Sequence, residues 1–170
     1  MAEIVNKVAQ SSLKTFNLED YYPEGHREII DIKDWLFEGI ILKEKEFRVN
    51  LKNYDWSKYQ DAYVALHCSS EAIVPGWAYL LITSYLQPVA RKIVYGDLEF
   101  LNATLYQNIL EEVDFSDYQD KPVIIKGCSN RPVPENAYLM ALQYLQPLAK
   151  SVMYGEACSA VPLYKRPKSK

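Results

Sequence analysis

The sequence predicts an α/β sandwich with a mostly parallel sheet built from two strand–helix–strand repeats. Three observations predict it: an internal duplication, a short apolar run opening each copy, and a helical apolar pattern between two strand-like runs in each copy. Displacing the chain by 59 positions aligns Asp55–Asp97 with Asp114–Glu156 without a gap, giving 19 identities in 43 pairs. "DWSKYQD" faces "DFSDYQD", "VPGWAYL" faces "VPENAYL", and "YLQPVARKIVYGD" faces "YLQPLAKSVMYGE".

Taken in chain order, the first 20 residues are polar and assign no element. "HREIIDIKDWL" alternates like a strand, and "KEKEFRVNLKNY" has the spacing of a short amphipathic helix. In the copies, "AYVALHC" and "PVIIKGC" are apolar or β-branched runs between polar residues, the mark of a strand buried on both faces. Pro75 and Pro134 suit the first turn of a helix, where a missing amide costs nothing. The helices run from Trp77 toward Leu86 and from Ala137 to Leu145; Pro88 and Pro147 then fall in the same apolar pattern and are expected to kink or restart them. "KIVYG" and "SVMYG" read as second strands ended by Gly96 and Gly155, and such a crossover normally makes a right-handed parallel pair. Between the copies, Leu98, Leu101, Leu105 and Ile109 recur at helical spacing, with Asp97 as N-cap. Like charge and Pro167 in "YKRPKSK" make residues 165–170 a flexible basic tail. Residues 1–170 are read as one α/β domain, long enough to bury a sizeable core.

Composition narrows the function. Lys and Arg total 19 against 22 Asp and Glu, a net charge of -3, so the chain has no basic field to attract nucleic acid or anionic membrane. It contains no apolar run of the roughly 18 residues needed to span a bilayer, and "MAEIVNKVAQSS" lacks the apolar centre of a secretion signal. The expected setting is cytoplasmic, with neither membrane nor nucleic acid as partner. Three cysteines, an odd number without an export signal, argue for reduced thiols rather than a disulfide framework. Fourteen tyrosines suit cores, clefts and dimer faces alike, and a protein partner or homodimer is expected.

The cysteines carry the candidate chemistry. Cys68 and Cys128 end the first strand of each copy, before a helix N-terminus, where open α/β sheets place ligands and where a helix dipole stabilises a thiolate. At the 59-residue offset they miss each other by one position, Cys68 facing Gly127 and Ser69 facing Cys128. Each cysteine precedes a serine, and Cys128 and Cys158 share a proline four residues on, in "CSNRP" and "CSAVP". If the strand ends lie along one rim, His67, Cys68, Cys128 and Cys158 supply four ligands for zinc or iron, or for an iron–sulfur cluster. Cys128 is alternatively a nucleophile or redox thiol, and ordinary packing is the stronger reading of the three, because free cysteine is among the most buried residue types. No Cys-x-x-Cys, Walker loop, Gly-x-Gly-x-x-Gly or His-Glu-x-x-His motif is present. Asp31, Asp34, Glu38 and Glu44 read as a solvated face, and "LEDYYPEGHR" as a turn pinned by tyrosine packing rather than a lid.

"FNLEDYYPEG", "DIKDWLFEGIILKEKEFR", "YVALHCSSEAIVPGWAY", "KGCSNRPVPENAY" and "YGEACSAVPLYK" resemble a family of small bacterial proteins, domain of unknown function 2480, found chiefly in Bacteroidetes. The resemblance runs from about Phe16 to Lys165. It implies no reaction. It does imply genes lying near those for sulfur mobilisation and iron–sulfur cluster assembly, which suits a cytoplasmic accessory factor handling metal or sulfur through its thiols. The alternative is a noncatalytic interaction or dimerisation module with structural cysteines.

Overall fold

The computed structural model describes residues 12–127 and 129–168. The chain is mixed α/β, and its strands sort into two sheets rather than one. Two compact units result: a first of Met1–Pro23 with Ala103–Lys170, and a second of Glu24–Asn102.

The second unit holds β2 (Arg27–Asp31), α1 (Glu44–Asn53), β3 (Tyr63–His67), α2 (Gly76–Leu86) and β4 (Lys92–Tyr95), with parallel strands in the order β2-β3-β4. The first holds β1 (Lys14–Phe16), β5 (Pro122–Lys126), α4 (Glu135–Leu145), β6 (Ser151–Glu156) and β7 (Ser159–Lys165), in the order β1-β5-β6-β7. All its pairs are parallel except β6 with β7. Between β4 and β5, α3 (Leu98–Glu111) carries the chain from the second unit into the first.

Each central strand is apolar because both its faces are covered: Tyr63–Leu66 and Val123–Ile125 are buried throughout. On α2 the buried positions Ala78, Ile82 and Leu86 recur every fourth residue and share a core with Val64 and Leu66 of β3. Ala137, Ala141 and Leu145 of α4 do the same with Val123 and Ile125 of β5. Pro75 and Pro134 stand one position earlier than expected, as the N-caps themselves. Both helices stop at Leu86 and Leu145, where the Gln87 and Gln146 amides close the last turn, so Pro88 and Pro147 terminate the helices instead of kinking them.

Details recur at the 59-residue spacing. Asp61 and Asp120 both take positive φ, 56° and 58°, and their amides donate to Val89 and Leu148 carbonyls at 2.8 and 3.0 Å. Trp56 stacks on Tyr85 at 5.3 Å, and Phe115 on Tyr144 at 5.0 Å. Register extends the correspondence to segments that show no alignment at that offset. Phe16 of β1 pairs with Ile125 and Ile30 of β2 with Leu66, and positions 66 and 125 are 59 apart.

Three local features differ from the sequence reading. "HREIIDIKDWL" is a strand only to Asp31, whose carboxylate caps a 3-10 turn over Ile32–Trp35. The polar N-terminal stretch contains β1 and a second 3-10 turn, Leu18–Tyr21. Gly155 lies within β6, at φ 120°, where a Cβ would come within 2.8 Å of the Ser159 carbonyl oxygen. Among the described residues of the C-terminal basic stretch, Lys165 belongs to β7. The Arg166 amide donates to the Lys150 carbonyl at 2.9 Å, and its guanidinium donates to the Leu148 carbonyl and to Asp120. No helix among the described residues is long and apolar enough to cross a membrane.

Candidate functional site

The carboxyl rim of the second unit's sheet is built by β2, β3 and the loop into α2. Register puts Asp31 beside His67 at the strand ends. Asp31 Oδ1 accepts from the Lys33 and Ser69 amides, each at 3.0 Å. Burial alone would raise the Asp31 pKa, but the Ser69 and Lys33 hydrogen bonds outweigh it and hold the carboxyl below its usual range. Cys68 is half-buried, its Sγ 3.3 Å from Ser70 Oγ and 3.7 Å from the Ser70 carbonyl. Tyr79 of α2 meets Tyr95 of β4 edge-on at 5.0 Å, and burial followed by the Tyr95 and Cys68 charges pushes its phenol up to about 12.

In the first unit, Tyr138 and Tyr154, each 59 residues on, make the same edge-on contact at 5.9 Å. There the loop ahead of α4 is tied to Glu19. The Ser129 hydroxyl donates to Glu19 Oε1 at 2.9 Å, the Arg131 amide at 3.1 Å, and the Asn130 amide joins them. The Ser129 hydroxyl, then the Asn130 amide, hold the Glu19 carboxyl below its usual range.

Of the four residues expected to bind metal, His67 and Cys68 adjoin each other at the end of β3 in the second unit. Cys158 is exposed in the turn between β6 and β7 of the first unit. Cys128, also expected as nucleophile, lies outside the described residues. Among the described residues, no group of three or more His, Cys, Asp or Glu side chains is arranged to hold a metal ion.

A second feature of the second unit was not read from the sequence. A groove of about 700 Å³ is walled by Ile40, Ile41 and Leu42 on one side and by the Glu71–Ile73 loop, Pro75 and Trp77 on the other. A tight turn shapes the first wall: Glu38 and Gly39 both take positive φ, 51° and 73°, and the Phe37 and Ile41 amides bond to each other's carbonyls at 2.8 and 3.0 Å. That turn leaves Ile40 and Ile41 about half-exposed. Trp77 is anchored edge-on against Phe47 at 5.9 Å, which fixes the opposite wall. At the mouth Ile73 is 95% exposed, and a Cβ added to Gly76 would meet nothing within 4 Å. Glu71 and Glu44 supply the polar rim; Glu44 is also bonded to Arg48 at 2.9 Å, an exposed pair of little strength.

The first unit offers a comparison within the same chain. At the 59-residue offset Glu71, Ala72 and Ile73 correspond to Asn130, Arg131 and Pro132, and Trp77 to Asn136. A loop between a parallel strand and a helix of this kind therefore forms without an exposed isoleucine. The departure of "EAIVPGW" from "NRPVPEN" was the available signal.

No curated protein and no solved structure matches the chain. A family model described as "Protein of unknown function (DUF2480)" matches residues 2–166, and the chain belongs to that family.

Proposed function

We propose that the chain is a noncatalytic interaction module whose second unit docks an apolar segment of a partner protein, one carrying basic residues beside its anchor side chain. The observation that carries this reading is Ile73, an isoleucine 95% exposed at the mouth of an apolar groove. Single exposed apolar residues need no explanation, but Ile73 joins Ile40, Ile41 and Trp77 in one concave surface, and such patches mark interaction sites. The corresponding loop of the first unit has Pro132 in place of the isoleucine, so a loop of this kind folds without it. Glu71 favours a lysine or arginine in the partner, while Glu44 is already paired with Arg48, whose guanidinium lies 5.0 Å over the Trp77 ring.

The test uses defined probes: synthetic amphipathic helical peptides with a leucine or phenylalanine anchor, flanked either by lysines or by glutamates, titrated into 15N-labelled protein. The lysine-flanked peptides are expected to shift the Trp77 indole N–H resonance and the glutamate-flanked ones to leave it in place. Burying Ile73 on binding is worth about 2 kcal/mol, so Ile73→Asp is expected to weaken binding by at least about 30-fold. Failure of every peptide to move the Trp77 signal refutes the docking site.

The metal- and sulfur-handling reading requires His67, Cys68, Cys128 and Cys158 to meet, or Cys128 to react alone. Iron, zinc and labile sulfide measured in anaerobically purified protein separate the two readings. Stoichiometric metal retained by the wild type and lost in Cys128→Ser would overturn the interaction module.

A further inference from the structure

We infer that the outer edge of β4 pairs antiparallel with the β4 edge of a second copy of this chain, joining two three-stranded sheets into one. The inference rests on a surface other than the groove and stands independently of it.

The chain has four sheet edges among its described residues, and three are protected. β1 is only three residues long. β7 carries Pro162, which has no amide to offer a neighbour. β2 has Arg27, Glu28 and Asp31 among its five residues. β4 reads Lys-Ile-Val-Tyr, with one charge, and ends the sheet order β2-β3-β4 with no strand beyond it. An edge of that composition templates pairing.

The first unit shows which orientation of partner such an edge accepts. Its strand 59 residues on is β6, "SVMY" where β4 has "KIVY", and β6 is covered by an antiparallel strand along its whole length. The second unit has no counterpart of β7. Two β4 edges related by a two-fold axis run antiparallel by symmetry, so one surface serves both copies and the assembly closes as a dimer. Tyr95, 67% exposed at the end of β4, and Leu98 just after it add apolar area beside the paired strands. One four-residue strand and two side chains per copy make a small interface, below the roughly 1,200 Å² of standard ones, so the dimer is expected to be weak.

Sedimentation velocity of the full chain over about 5–500 μM tests this. The wild type is expected to pass from monomer to dimer in that range. With the two four-residue strands fully overlapped, Tyr95 lies opposite Lys92 of the second copy, so Tyr95→Lys sets like charges across the pair and is expected to raise the dissociation constant at least ten-fold, while loss of the edge-on contact with Tyr79 lowers the thermal melt only slightly. Val161→Lys, on the exposed face of β7, is expected to leave dimerisation intact. A wild type monomeric throughout overturns the inference. So does assembly beyond a dimer, or a dimer that Val161→Lys breaks and Tyr95→Lys does not.

Discussion

Phe16→Ala tests whether a strand of three residues belongs to the core. Phe16 is fully buried at the end of β1, where it stacks on Tyr21 at 5.3 Å and Phe115 at 5.5 Å and meets Tyr118 edge-on at 5.6 Å. Truncating a buried phenylalanine costs about 3–5 kcal/mol, the transfer term plus a cavity. Three aromatic neighbours put this site toward the upper end, since each ring pair adds about 0.5–1.5 kcal/mol beyond area. Domains are stable by only about 5–15 kcal/mol, so the loss is a large fraction of the total. With a urea m-value near 2 kcal/mol/M, the unfolding midpoint followed by circular dichroism should fall by about 2 M. Phe16→Leu keeps most of the apolar area and should lose distinctly less. A fall below about 0.5 M for the alanine variant would mean that β1 is dispensable, and the assignment of the N-terminal segment to the first sheet would be wrong.

Glu19 and the tyrosines give two tests with opposite dependence on pH. Glu19 is held below the ordinary 4.5 by its hydrogen bonds, so its contribution is complete above about that pH and is lost as pH falls through the lower folded-state value. Glu19→Gln should therefore melt lower than wild type at pH 7, with the gap closing on acidification; a gap constant from pH 7 to 3 would refute the role of the carboxylate. Tyr79 and Tyr118 are pushed from 10 up to about 12, chiefly by burial, and Tyr59 is pushed higher still. The fold favours the neutral phenols, so this stability is intact below pH 10 and lost as pH rises toward 12. Absorbance at 295 nm should show a late-ionising fraction that coincides with loss of circular dichroism. Ionisation of all 14 tyrosines in one step near pH 10, with the fold intact, would count against it.

The strands and helices of Asp55–Glu156 were legible because their signals are local. β-branched runs, four-residue apolar spacing and proline at a helix start act within a dozen residues. β1 was not legible, because three residues with a single inward phenylalanine make no periodicity. β7 was obscured by its flanking charges and Pro162, although Val161 and Leu163 sit in it. Within the candidate site, the adjacency of His67 and Cys68 could be anticipated from the end of the strand, whereas the edge-on tyrosine pairs join a helix to a strand and could not. The hydrogen bonds of Asp31 to Ser69 and of Glu19 to Ser129 join residues 38 and 110 apart, which no spacing rule foretells.

By itself the sequence determined the element types of Asp55–Glu156, the 59-residue correspondence and the absence of a basic field, because each depends on neighbouring side chains or on summed charge. Only tertiary structure decided that the strands form two sheets and that β1 crosses over to β5 while β2 stays with β3. It also decided that Ile73 faces water beside Trp77 rather than a core. The reason is physical: strand pairing and groove formation are settled by which distant apolar faces bury one another. Two copies with nearly the same local pattern leave that choice open until the whole chain competes for it.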